Sequence, residues 1–151
     1  MRSGRTFSRR RTWGLVACLG LLGLAGCSRD ARPPVVPVHG QVRVDGKPAA
    51  HAQVTFHPVG DRRTDAVHPA ATTDEDGRFS LTSFAAGDGA APGEYQVAVV
   101  WFLASKPRGP GEESTTRNYL PDRYGRAESS QLRATVGPGE TTLKPFDLKR
   151  N

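Results

Sequence analysis

At 151 residues, with 36% hydrophobic side chains and a formal net charge of +6, the chain has room for one packed domain of common size beside a targeting segment. The charge is unevenly placed: Arg2, Arg5, Arg9, Arg10 and Arg11 precede residue 27, so 16 of the 21 basic residues follow, against 15 acids, a net of +1. A balance that near neutral removes the argument for a nucleic-acid partner, which needs a cationic surface to displace phosphate counterions.

Met1 to Thr12 is arginine-rich without an acid, and Trp13 to Ala25 is a run of thirteen apolar or glycine residues. This is the n-region and h-region of an export signal. Thirteen residues make about 20 Å of helix, short of the ~30 Å hydrocarbon core, so a spanning helix is not expected. The run ends in Leu24-Ala25-Gly26-Cys27, which resembles the lipobox of bacterial lipoprotein signals. The resemblance implies a signal peptide at 1–26 that is cut away, diacylglycerol and palmitate-type acylation on Cys27, and a bacterial membrane as partner, with the chain facing the periplasm or the exterior. The plainer alternative is ordinary signal cleavage with a buried or free Cys27. Ser8-Arg9-Arg10-Arg11-Thr12-Trp13 is also similar to a twin-arginine signal. Cys18 leaves with the h-region, so one cysteine stays and no intramolecular disulfide can form. Residues 28–37 hold Pro33, Pro34 and Pro37, the composition of an extended tether spanning on the order of 30 Å at ~3.1 Å per residue.

Val38, Val42 and Val44 alternate with His39, Gln41 and Arg43, predicting a strand with one buried face. Asp45-Gly46 is a hairpin signal, although Lys47 to Ala50 delays the next strand and predicts a longer connection. Gln53 to His57 alternates again with Val54 and Phe56 inward, and Pro58 closes it; residues 60–69 are a polar loop with Arg62, Arg63 and His68. Ala71 to Leu81 predicts a β-hairpin whose tip is Asp74-Glu75-Asp76-Gly77, with Phe79 and Leu81 inward. Those carboxylates also look like the start of a calcium loop, but the later Glu is missing and a strand follows, so a solvated tip is the reading. Glu94 to Trp101 predicts the central strand, with Tyr95, Val97, Val99 and Trp101 sharing a face, and Trp101 is read as packing rather than as a stacking platform. Residues 102–131 form a long excursion, expected to be mobile from Ser105 to Thr116. Leu132, Ala134 and Val136 mark another strand, and Thr142 to Leu148 the last, at an edge or bulged because Pro145 cannot donate to a ladder. The pattern predicts an all-β, seven-strand Greek-key β-sandwich over residues 38–151.

The stretches 38–48 (V-x-G-x-V-x-V-D-G-K-P), 52–58 (A-x-V-T-F-x-P), 73–81 (T-D-E-D-G-R-F-S-L), 93–99 (G-E-Y-Q-V-A-V) and 132–136 (L-x-A-T-V) together resemble the carboxypeptidase regulatory-like domain family of bacterial lipoproteins. The resemblance implies a transthyretin-like (prealbumin-like) sandwich. In that family glycine commonly stands where His51 stands here, which sets this turn apart. The family's name does not imply peptidase activity, and none of His39, His51, His57 or His68 opens the H-x-x-E arrangement of a zinc site. The C-terminal Tyr-Arg-Gly-Ser motif of the transthyretin-related hydrolases is missing, since this chain ends Asp147-Leu148-Lys149-Arg150-Asn151. An intradiol-dioxygenase iron site would need two Tyr and two His, and here Tyr95 reads as buried while the His are scattered. The reading is therefore a lipid-anchored, non-enzymatic binding or structural module without catalytic residues, cofactor or metal; a small hydrolase is the alternative. The candidate surface for an envelope protein or glycan is Tyr119, Arg123, Tyr124 and Arg126, near Arg108 and Arg117, because Tyr and Arg are the residue types enriched at interface hot spots.

Overall fold

Alternation of valine with polar side chains gives strand β1 (Val38–Val44), with Val38, Val42 and Val44 buried. The computed structural model describes residues 32–61, 66–104, 109, 111 and 114–151; Cys27 and Arg108 lie outside them, as does most of 105–116. From β1 the chain reverses through Asp45 (φ 52°) and Gly46 (φ 80°), both left-handed as a type I′ turn requires, into β2 (Lys47–Pro48). The turn is thus a tight hairpin, where a longer connection was expected. There follow β3 (Gln53–Pro58), β4 (Ala70–Thr72), β5 (Arg78–Ser80), β6 (Gly93–Val100), β7 (Phe102–Ala104), β8 (Thr116–Asn118), a 3-10 turn (Asp122–Gly125), a one-turn helix α1 (Ala127–Ser130), β9 (Leu132–Val136), β10 (Thr141–Thr142) and β11 (Phe146–Leu148).

β1 is the hub of one sheet: β5 and β2 pair antiparallel with it along one edge, and β10 and β11 pair parallel along the other. The second sheet is antiparallel throughout, in the order β4-β3-β6-β9. β7 and β8 make a separate two-stranded ribbon. Inward side chains of both sheets form one core, making the chain a β-sandwich. Phe56 of β3 is its meeting point, with ring centroids 6.3 Å from Phe79, 5.6 Å from Tyr95 and 6.3 Å from Phe146. Ala98 on the opposite face of β6 is buried too, because α1 and the 3-10 turn pack against that strand.

The segment predicted as a hairpin, Ala71 to Leu81, instead crosses between the sheets. β4 pairs with β3 while β5 pairs with β1, and the two arms meet only at the Ala70–Thr82 bridge and at the Asp74–Arg78 closure of the turn. Thr73 accounts for the divergence. Its buried hydroxyl donates to the Ala49 carbonyl and accepts from the Ala52 N–H, tying that arm to the connection between β2 and β3. Gly77 (φ +70°) holds the other arm, with its carbonyl accepting from Val42 N–H, and a Cβ there would sit 2.5 Å from the Val42 oxygen. The last predicted strand is split at Leu143–Pro145 into β10 and β11, both on an edge, as Pro145 requires. The excursion after β6 carries the β7–β8 ribbon and both helical turns, and Thr116, expected in a mobile loop, opens β8.

Candidate functional site

The predicted surface divides when placed on the fold. Tyr119 is 40% exposed, and its ring centroid lies 6.2 Å from that of Trp101. Asn118 organises this junction: its side-chain oxygen accepts from the Trp101 and Leu120 N–H groups, while Tyr119 N–H donates to the Trp101 carbonyl. Trp101 itself is half-buried, packed against the core and donating its indole N–H to the Ala50 carbonyl at 2.8 Å. Phe102, 47% exposed at the start of β7, extends the exposed aromatic surface. A hollow of about 410 Å³ beside Tyr119 is lined by Arg117, Asp45 and Arg150. Arg150 donates from Nε to Asp45 Oδ2 at 2.6 Å, which holds the Asp45 carboxyl below its usual range against the opposing effect of desolvation.

Tyr124 does not belong to this surface. Its ring is buried because Leu120, Tyr124 and Ala127 point into the protein from the 3-10 turn and α1. Arg123 lies 4.6 Å over that ring and donates to the phenol oxygen, which also accepts from Lys149 N–H. Burial raises the Tyr124 phenol, but those hydrogen bonds outweigh it, so the net shift is downward. Arg123 is exposed but engaged with Tyr124 and the Asn151 carbonyl; Arg126 is exposed at the start of α1. Phe102, Asp45 and Arg150 are the residues missed in the sequence: they come from three distant stretches, and only the register of the ribbon and the C-terminal strand brings them near Tyr119.

The four histidines do not converge on one site. His39 on β1 faces a cleft of about 830 Å³. His51 is exposed with φ 60°, its Nε2 3.1 Å from Glu75 Oε1. His57 and His68 meet edge to face at 4.7 Å, and desolvation, helped by the neighbouring His68, lowers the His57 pKa against a weaker opposing pull from Glu128. Tyr95 is in the core with its hydroxyl donating to the Ala91 carbonyl. Among the described residues no group of three His, Cys, Asp or Glu is placed to hold a metal ion, and no helix is long and apolar enough to cross a membrane.

No protein-family model and no curated protein matches the chain. Solved structures similar to it include the dioxygenase domain of a dioxygenase carbohydrate-binding protein fusion from a Streptomyces species, at 22% identity over 81% of this chain and 84% of that one, TM-score 0.37. A DUF3823 family protein from Parabacteroides merdae has 19% identity and TM-score 0.35, over 78% of this chain and 46% of its own. A 9R-lipoxygenase from Cyanothece has 14% identity and TM-score 0.37, over 78% of this chain but 17% of its own. The chain thus spans less than half of the last two. Likeness at these scores assigns no reaction to it. It does correct one expectation: with a lipoxygenase and a dioxygenase domain among the similar structures, the classification as non-enzymatic no longer stands.

Proposed function

We propose that this chain is a lipid-anchored domain of a bacterial cell envelope that docks an envelope protein at the rim formed by Tyr119. Residues 1–26 are the signal peptide, Cys27 carries the lipid, 28–37 are the tether, fastened at its end by backbone bonds of Val36 to Ala90 and of Pro37 to Thr141, and 38–151 are a transthyretin-like Greek-key domain of the carboxypeptidase regulatory-like kind. The Greek-key reading is supported by the crossing of the chain from β4 to β5 between sheets and by the return of β11 beside β1. The observation that carries the docking reading is the exposed Tyr119 ring against half-buried Trp101, with Phe102 and Arg117 exposed nearby. A rigid aromatic anchor beside arginine is the composition of an interface hot spot.

Membrane fractionation tests the anchor: wild type is expected in the membrane pellet and Cys27→Ala in the soluble fraction, and equal solubility of the two removes it. Crosslinking in intact cells tests the rim. Tyr119→Ala is expected to lose the neighbours that wild type captures; the same captured proteins without Tyr119 would show that the partner sits elsewhere, and capture of a glycan alone would change the partner class.

A further inference from the structure

His39 on β1 and Ser80 on β5 stand directly opposite each other across the strand pair, with Ser80 Oγ 2.8 Å from His39 Nδ1. On the far side of the same ring, Glu140 Oε1 lies 3.8 Å from Nε2. At 3.8 Å Glu140 is too far to hydrogen-bond the ring, but its negative charge favours the tautomer of the neutral imidazole that carries the proton on Nε2. Nδ1 is left with the lone pair that accepts the Ser80 hydroxyl proton. This is the order hydroxyl, imidazole, carboxylate in which a base activates a serine and a third group orients the base.

His39 and Ser80 border an open cleft of about 830 Å³, within the ~300–1,000 Å³ of small-molecule sites. Leu143 and Pro145 give it apolar wall, and Arg78 lines it two residues from Ser80, on the same face of β5. Arg78 has a long 3.9 Å contact with Asp76 in which both side chains are largely exposed, an ion pair worth little, so its guanidinium can turn to negative charge in the cleft.

We propose that this cleft is an esterase site for small carboxylic esters, with Ser80 as nucleophile and His39 as general base. Ser80 Oγ bonds to the ester carbonyl carbon as its proton passes to His39 Nδ1. The carbonyl oxygen becomes an oxyanion facing Arg78. Collapse breaks the bond to the alkoxy group, which leaves as the alcohol with the proton from His39. Water then gives a proton to His39 and its oxygen to the acyl carbon, and Ser80 regains its proton as the carboxylic acid departs. Glu140 touches no reacting atom and is a positioning residue. The site shares no residue with the Tyr119 rim, and the proposal stands apart from the docking reading.

The test uses the full chain in detergent, a fluorophosphonate probe and nitrophenyl acetate. Wild type is expected to give a phosphonylated Ser80 by mass spectrometry and to hydrolyse the ester. Ser80→Ala should lose both, and His39→Gln should slow both by about 10²–10⁴-fold, while each variant keeps the wild-type denaturation midpoint. In ¹⁵N spectra of the His39 ring, Glu140→Gln should move the tautomer populations toward Nδ1–H. Absence of a Ser80 adduct, or ester hydrolysis unchanged in Ser80→Ala, overturns the assignment and leaves His39 and Ser80 as an ordinary cross-strand pair.

Discussion

His51 adopts a backbone conformation that its side chain disfavours. At φ 60° its Cβ crowds the following carbonyl, a cost of about 1–2 kcal/mol that glycine does not bear. Its contact with Glu75 joins two largely exposed side chains and returns little. After allowance for the backbone freedom that glycine gains in the unfolded chain, His51→Gly is expected to stabilise the protein by about 0.5–1 kcal/mol, read from the shift in urea midpoint; a midpoint that falls would show the imidazole to be holding the turn. The sequence points to this position only through its resemblance to carboxypeptidase regulatory-like domains, which implies glycine there. Gly40 is less open to such reading. It faces Phe79 directly across β1 and β5, and a Cβ on it would overlap the Phe79 ring, a requirement that depends on knowing which strand lies opposite.

At the scale of elements, the paired edge-to-face rings of His57 and His68 make the end of β3 sensitive to acid. Desolvation, and then the neighbouring His68, depress the His57 pKa below its ordinary 6.5, so the fold favours the neutral ring. The unfolded chain binds that proton more readily, and stability is full above pH 6.5 and declines as pH falls toward the lower folded value. The urea midpoint of wild type should therefore drop between pH 7 and 5.5, and that of His57→Gln should drop less; identical slopes would assign the acid loss to other groups. Element identity was largely legible from period-two alternation, as in Val38–Val44 and Gln53–Pro58. Element partnership was not. The Asp74–Gly77 turn fits a hairpin in every local respect, and only the buried Thr73 hydroxyl bonds and the close approach of Gly77 to Val42 send its arms to different sheets. The β7–β8 ribbon escaped notice because its strands are three residues each, and Tyr124 looked exposed because the turn that buries it has no long apolar period.

For the molecule as a whole, cohesion depends on the joint between the two sheets, since the one cysteine expected after signal cleavage leaves no disulfide to hold them. Phe56 is that joint: it belongs to β3 and Tyr95 to β6 in one sheet, while Phe79 and Phe146 come from β5 and β11 in the other. The last two stack nearly parallel at 6.3 Å and 6°, so three strands' aromatic packing shares one support. Removing the Phe56 ring opens a cavity that four strands cannot close without losing their register. Phe56→Ala should therefore cost ~3–5 kcal/mol, a large part of the ~5–15 kcal/mol that a domain of this size has. The loss should also be shared: if the sheets are one cooperative unit, Trp101 fluorescence on the β6 side and hydrogen exchange of β1 amides must report the same lowered midpoint. Two separated transitions in Phe56→Ala would mean that each sheet holds itself together and that the aromatic joint is not what unites them.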